Sequence, residues 1–500
     1  MALDILFIHP NSASSTYQGL SSDYSAIENP IWAAMLINHC IQKKFRADIL
    51  DAEALGLSDD DIAYTVQHMK PTYVCFVVYG QQPSASTQNM EGAVSAASAI
   101  KRIYDTKIIF VGGHVSALPT ETLQNHDCID ICCTNEGVNS LIAILSGEEL
   151  LRIKGLAFRY NDGIYQTESG DLVSLDSFVG QAWHLLPMNQ YRTALWHSLP
   201  NKGERQPFAS LYTSLGCPFS CGFCMINSPF GGSSFRYWEP SVIIEEFGYL
   251  ARKGIKNIKI ADEMFVLREA HYLELCKLII EMGYDFNIWC YARVDTVKER
   301  HLETLKKAGV NYLALGIESA NTAVKDNIAK TQKVDPRLVV SQVHNAGINV
   351  AANYIFGLPK DTISTMNETL SLAIELNTEM VNFYCAMAYP GSRLYSQAKE
   401  NGWSLPDTYS GYSQHSYDCQ PLPTEFVSAQ DVLRFRDNAW MAYHTSTKYL
   451  SMIEAKFGKV NRGRIEASTK IKLKRRLLNG GDTGERTGCS EGHGVHSTDR

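Results

Sequence analysis

Leu215-Gly-Cys-Pro-Phe-Ser-Cys-Gly-Phe-Cys-Met225 decides how the rest of this chain is read. Cys217, Cys221 and Cys224 are spaced Cys-x3-Cys-x2-Cys, with no fourth cysteine close behind. Three thiolates in such a run can hold three corners of an iron–sulfur cubane and leave the fourth iron open to a small molecule. Zinc is the first alternative, but structural zinc sites use paired Cys-x2-Cys units or added histidines. A disulfide framework is the second, and an odd number of cysteines in a chain that reads as cytosolic argues against it.

Working outward toward the carboxyl terminus, apolar runs alternate with helix-compatible stretches. Ser210–Leu215 precedes the cysteine loop. Asn257–Ala261 leads into Asp262-Glu263, and Asn287–Tyr291 leads into Ala292-Arg293-Val294-Asp295. Tyr312–Leu315 leads into Gly316-Ile-Glu-Ser319, Val350–Ile355 into Phe356-Gly-Leu-Pro359, and Val381–Met387 into Tyr389-Pro-Gly-Ser392. Six strands, each closed by polar or glycine residues, predict a partial (β/α)6 TIM-like barrel with its chemistry at the carboxyl ends of the strands.

Toward the amino terminus the same alternation predicts a doubly wound parallel sheet. Its strands are Leu3–His9, Ala47–Leu50, Tyr73–Val78, Lys107–Val111 and Asp130–Cys133, with helices including Ile31–Lys44 and Glu91–Tyr104. Glycines and polar residues follow the strands, at Tyr79-Gly80, Gly112-Gly113-His114 and Glu136-Gly137, on the edge where open α/β sheets bind ligands. The fold class is therefore α/β, with a Rossmann-like N-terminal sheet, a partial barrel and a helical C-terminal region. The expected division is 1–145, a linker with a small hairpin over 146–205, the barrel over 206–400, helices over 401–478 and a disordered tail over 479–500.

Composition sets broad limits. The chain has 500 residues, 45% hydrophobic and 20% charged, which suits two or three soluble domains. A net charge of −7 gives no electrostatic case for nucleic-acid binding. There is no apolar run of membrane-spanning length and no leader-like N-terminus, so a cytoplasmic protein is expected. Cys40, Cys75, Cys276 and Cys290 lie singly in apolar segments and read as buried thiols.

The cysteine run resembles the cluster motif of the radical S-adenosylmethionine (radical SAM) superfamily, in which an aromatic residue, here Phe223, stands before the last cysteine. The resemblance implies a [4Fe-4S] cluster whose free iron holds the amino and carboxylate groups of S-adenosylmethionine. It also implies reductive cleavage to a 5′-deoxyadenosyl radical, with electrons from a donor such as flavodoxin or ferredoxin. Val111-Gly-Gly-His-Val-Ser-Ala-Leu-Pro119 followed by Asn135-Glu-Gly137 resembles the cobalamin-binding domain found ahead of many radical SAM cores. There the Gly-Gly turn packs on the nucleotide tail, so Tyr79, Gly80, Gly112, Gly113, His114, Glu136 and Gly137 become candidate cobalamin contacts. The Asp-x-His-x-x-Gly element that supplies a cobalt ligand in methionine-synthase-like domains is absent from the sequence, and neither His9 nor His114 sits in that frame.

For S-adenosylmethionine the candidates are Phe223, Arg293, Glu318 and Gly357. Arg293 suits a carboxylate clamp, and Glu318 either contacts the ligand or pairs with Arg293. Gly357 leaves room for adenine against the backbone. Asp262 and Glu263 suit substrate binding, proton transfer or capping of the next helix, with capping expected for one of them. Tyr212, Phe223, Phe265, Trp289, Tyr291, Tyr354 and Tyr384 are expected to line or back the barrel. Cys385 is a candidate hydrogen-atom donor, and alternation allows only one of Tyr384 and Cys385 to face the lumen. Trp403, Tyr409, Tyr412 and Tyr417 are candidate covers for the substrate mouth, and Lys470–Arg476 reads as a solvated helix face.

The resemblance implies methylation of an unactivated carbon of a small-molecule substrate through methylcobalamin. Ring formation or oxidation without methyl transfer, as in anaerobic porphyrin-ring cyclases, is the alternative. A methylthiotransferase would need further cluster cysteines in the N-terminal domain, and Cys128, Cys132 and Cys133 show no such pattern.

Overall fold

The computed structural model describes residues 3–80, 85–194 and 205–479. Trp196, Cys489 and the tail from 480 onward lie outside the described residues.

Five parallel strands form the N-terminal sheet: β1 (Ile5–His9), β2 (Ala47–Asp51), β3 (Tyr73–Val77), β4 (Lys107–Val111) and β5 (Ile131–Cys133), in the order β2-β1-β3-β4-β5. Their runs are almost wholly apolar because both faces are covered. Ile5, Phe7, Cys75, Val77, Ile109, Val111 and Cys133 face a core shared with the barrel. Leu6, Ile8, Val74, Phe76, Ile108, Phe110 and Cys132 face a second core under the helices Asp59–Met69 and Ala85–Ile103. Cys132 and Cys133 thus point to opposite sides, as alternation requires. Cys40, Cys75, Cys276 and Cys290 are buried free thiols.

The hairpin expected in the linker is present as β6 (Leu156–Tyr160) and β7 (Gly163–Gln166), turning at Asn161-Asp162. It is not a free-standing unit. β6 pairs antiparallel with β5, so the hairpin completes a seven-stranded sheet.

The second sheet is fully parallel and ordered by sequence: β8 (Phe208–Leu211), then β11 (Asn257–Ile260), β12 (Asn287–Arg293), β13 (Val310–Glu318), β14 (Asn349–Phe356) and β15 (Met380–Cys385). This is the partial six-stranded barrel. The first barrel strand is shorter than its apolar run. The chain breaks at Tyr212 and resumes as β9 (Ser214–Leu215), which pairs with β10 (Arg236–Tyr237) outside the barrel. The cause is Asp262, whose carboxylate accepts the Thr213 N–H and the hydroxyls of Thr213 and Ser214, each at 2.6 Å. Those bonds turn the chain out of the sheet and launch the cysteine loop.

Helix Ala429–His444 closes the barrel, opened by Ser428, which accepts the Asp431 N–H at 3.1 Å. Lys470–Arg475 is not helical. It turns off helix Thr447–Ser468 and passes without regular structure to Arg476–Asn479, where buried Arg475 clamps Asp437 with two 3.0 Å bonds and donates to Ser416 O at 2.9 Å.

Candidate active site

The cysteine loop hangs from the carboxyl edge of the barrel. Cys217, Cys221 and Cys224 are partly buried free thiols on one short loop, close enough that each influences its neighbours' ionisation. Burial pushes Cys217 up to about 11 and Cys224 higher still, so metal must displace protons to bind. Among the described residues no three His, Cys, Asp or Glu side chains converge on a single point, as tetrahedral zinc requires. A cubane takes its thiolates on separate irons, and the loop suits it.

Arg293, at the end of β12, lies over the Phe219 ring at 3.9 Å and brings Nη1 to 3.7 Å from Cys221 Sγ. Its other donors are engaged by Asp295 at 2.9 and 3.1 Å and by Thr331 O at 3.3 Å. Glu318 therefore does not pair with Arg293. Its carboxylate accepts a hydrogen bond from Lys330, a residue without a motif to announce it. Glu318 holds φ +63°, beside a register shift between β13 and β14. A left-handed non-glycine residue costs about 1–3 kcal/mol, and such strain gathers where a side chain must be aimed.

A cavity of about 690 Å³ opens from the cluster loop at Phe223 and Cys224. Glu263, Arg293, Glu318 and Lys330 border it near the loop, and Trp289, Tyr291, Tyr384 and Met387 farther along. Phe265 and Tyr354 are packed in the core, and Tyr212 borders a separate small cleft. Tyr384 and Cys385 both border the cavity, which bends round the end of β15 to reach the C-terminal helices. Gln414 holds the Cys385 backbone, accepting its N–H at 2.8 Å and donating to its carbonyl at 3.0 Å.

Neither acidic residue after β11 caps the following helix, Glu269–Glu281. Asp262 is spent on Thr213 and Ser214, and burial raises it to about 6 despite those bonds. Glu263 faces the cavity; burial and then the neighbouring Asp262 raise it to about 8.

Gly357 has a structural reason unconnected with adenine. A Cβ there would lie 2.4 Å from Val432 Cγ1, so the glycine admits helix Ala429–His444. Gly113 likewise receives the cluster loop, since its Cβ would meet Met225 Cε at 2.7 Å. His114 is sealed between Thr87 Oγ1 at 3.3 Å and the Tyr409 ring, and burial lowers it to about 3. Tyr409 bonds His126 at 2.6 Å, while Tyr412 O accepts from Tyr389 at 3.3 Å. None of Trp403, Tyr409, Tyr412 and Tyr417 borders the main cavity; Tyr389, Gln414 and His415 do.

Glu136, buried beside Gly137, pairs with Arg236 and accepts the Val173 N–H at 2.8 Å. Gly137 packs on Val111, and Gly112 on Val78. Tyr79 stacks on Trp32 at 4.9 Å, and with Gly80 and His9 it borders a cavity of about 140 Å³ at the β1/β3 crevice. That crevice is where the strand order reverses, the usual ligand edge of such sheets. It shares Tyr17, Ala85 and Gln88 with the large cavity, so the openings of the two domains are neighbours.

Family comparison agrees with this geometry. Residues 211–373 match the radical SAM superfamily model, and residues 20–145 match the B12 binding domain model. The chain thus joins a B12-binding domain to a radical SAM domain. It is 28% identical over 420 residues to an uncharacterized methyltransferase of Pyrococcus horikoshii, covering 82% of this chain and 86% of that protein. It is 23% identical to an anaerobic magnesium-protoporphyrin IX monomethyl ester cyclase of Cereibacter sphaeroides, over 79% of this chain and 64% of the cyclase. The radical SAM methyltransferase TsrM of Kitasatospora setae shares the fold at TM-score 0.67 and 15% identity, over 94% of this chain and 99% of that one.

The cofactors of the family are a [4Fe-4S] cluster, S-adenosylmethionine and cobalamin. The residues present suit all three. Three thiols share one loop, a polar cavity begins beside them, and a crevice at the sheet's ligand edge adjoins that cavity.

Proposed function

We propose that this radical SAM enzyme methylates an unactivated carbon of a small-molecule substrate. The observation that carries the reading is the cavity of about 690 Å³, bordered at once by the cluster loop, by the N-terminal domain through Tyr17, Ala85 and Gln88, and by the C-terminal helices. A substrate held there meets groups seated on either domain. When bound, the cofactors supply reductive cleavage of a sulfonium and a transferable methyl group.

The chain's own residues position and enclose. Cys217, Cys221 and Cys224 hold the cluster, and Arg293 directs one donor at the Cys221 sulfur. Glu263, Glu318 and Asn353 offer acceptors for the amino group and ribose of S-adenosylmethionine. Tyr291 and Tyr384 present phenols to the cavity, and burial raises both, keeping them protonated as donors. At the other domain, Tyr79, Gly80 and the β1/β3 crevice form the edge offered to cobalamin. No helix of the described residues is long and apolar enough to cross a membrane; a cytoplasmic enzyme served by a flavodoxin or ferredoxin fits this reading.

The test is anaerobic reconstitution with iron, sulfide and hydroxocobalamin, followed by assay of S-adenosylmethionine products. Methyl transfer yields both 5′-deoxyadenosine and S-adenosylhomocysteine, and methyl label enters the product. Deoxyadenosine without S-adenosylhomocysteine, and an unlabelled cyclised or oxidised product, supports the cyclase alternative that the Cereibacter relative favours. Loss of neither product in Cys221→Ala overturns the reading.

A further inference from the structure

Part of the wall of the large cavity is made by the irregular segment between helices Thr447–Ser468 and Arg476–Asn479. Ile471, Lys472 and Leu473 all border the cavity. The two apolar side chains are half-buried, and Lys472 is exposed at the rim. This strap is pinned on both sides. Gln18 of the N-terminal domain accepts the Lys474 N–H at 3.2 Å and donates to Lys474 O at 3.1 Å. Arg475 is locked onto Asp437 and Ser416 O. A charge on a pinned segment holds its place at the mouth, which a charge on a free loop does not.

The other cationic side chains along the wall are paired. Arg293 pairs with Asp295, Lys330 with Glu318, and Arg436 with Asp437. Asp437 is answered twice, by Arg436 and Arg475. Among the described residues bordering the cavity, Lys472 is the lysine or arginine without an ion pair. Lys470 and Lys474, exposed on either side of it, add positive potential without a carboxylate partner among the described residues. The wall carries Trp289, Tyr291, Phe383, Met387, Trp440 and Met441, with Asn382, Gln414 and His444 among them. A ligand spanning the cavity therefore meets aromatic and thioether surface interrupted by amides and imidazoles, and one cation without an ion pair on the C-terminal side.

We propose that Lys472 is a specificity-determining residue that reads an anionic group, a carboxylate or phosphate, at the solvent end of an otherwise apolar substrate. This rests on the reading above that the cavity seats the substrate, and it assigns that substrate to the amphipathic anions. The contribution is that of a rim charge: modest in affinity, larger in selection between charged and neutral ligands, and screened by salt.

The experiment uses the reconstituted holoenzyme and two naphthalene probes of similar shape, anionic 8-anilinonaphthalene-1-sulfonate and neutral N-phenyl-1-naphthylamine, titrated by fluorescence. Lys472→Glu weakens the anionic probe about three- to tenfold and leaves the neutral probe within about twofold. Lys472→Arg restores the anionic probe, and raising salt from about 0.05 M to about 0.5 M weakens it in the wild type but not in Lys472→Glu. An anionic-probe affinity unchanged by Lys472→Glu, or a parallel fall for both probes, overturns the proposal. Failure of the wild type to cleave S-adenosylmethionine would instead remove the functional reading and leave these titrations standing.

Discussion

The two parallel sheets of this protein end in the same kind of sequence, polar residues and glycines just after each strand, and use it in opposite ways. At the barrel edge Glu263, Tyr291, Glu318 and Tyr384 face one open cavity. At the N-terminal edge the residues after β4 and β5 are turned onto protein. Gly113 is packed on Met225, His114 is sealed under Tyr409, and Glu136 is bound to Arg236. Among the described residues the β1/β3 crevice stays open there. A polar residue at a strand end is therefore evidence of an edge, and its partners decide whether that edge binds ligand or joins domains.

The sharpest break in the comparison is chemical. Cys221→Ala should reduce deoxyadenosine formation to background while leaving the circular dichroism of the fold intact, because the loop it occupies carries no regular core strand. At the joining edge the expected loss is structural. Arg236→Met strands the buried Glu136 carboxylate and should cost about 3–5 kcal/mol in denaturant unfolding. A loss below about 1 kcal/mol would mean that Glu136 is held without Arg236.

A third carboxylate tests the far end of the barrel. Glu379 is buried before β15, and burial alone would raise it. The His344 hydrogen bond and charge, Lys456 and the Val350 N–H instead bring it down to about 2. A folded value below the unfolded one means stability that is present above about pH 4.5 and lost as pH falls toward 2. Glu379→Gln should remove on the order of 3 kcal/mol at neutral pH and flatten the acid limb of the stability profile.

Gly357→Ala should cost about 1–3 kcal/mol by crowding Val432. A second change, Val432→Ala, should recover the crowding part of that loss and leave the part due to the left-handed backbone at Gly357, φ +78°; no recovery would mean that the backbone strain accounts for all of it. The smallest expected effect is on the open edge. Tyr384→Phe removes a phenol that faces the cavity and should shift stability by less than about 0.5 kcal/mol, in contrast to Arg236→Met. A large shift would place Tyr384 among the joining residues instead.

The strand order of both sheets and the cysteine loop were legible because they rest on local signals, apolar runs of strand length and a fixed cysteine spacing, whereas strand ends such as Leu211 were set by distant partners. The partners of charged groups were not legible. Glu318 pairs with Lys330 rather than Arg293, and nothing in Ala329-Lys330-Thr331 marks that lysine. Asp262 looks like a helix cap in sequence and acts as the pivot that ends β8. The basic run Lys470–Arg476 reads as a solvated helix face, but Arg475 finds Asp437 across the fold and residues 471–475 take no regular structure.

By itself the sequence determined the two α/β layers, the three-thiol loop and the family to which they belong, since hydrophobic periodicity and ligand spacing are properties of neighbouring residues. Tertiary structure alone decided which polar strand ends stay open, how far the cavity extends and which charges remain unpaired at its rim. Those depend on residues hundreds of positions apart meeting in space, and electrostatic pairing is settled by distance through the fold, not by distance along the chain.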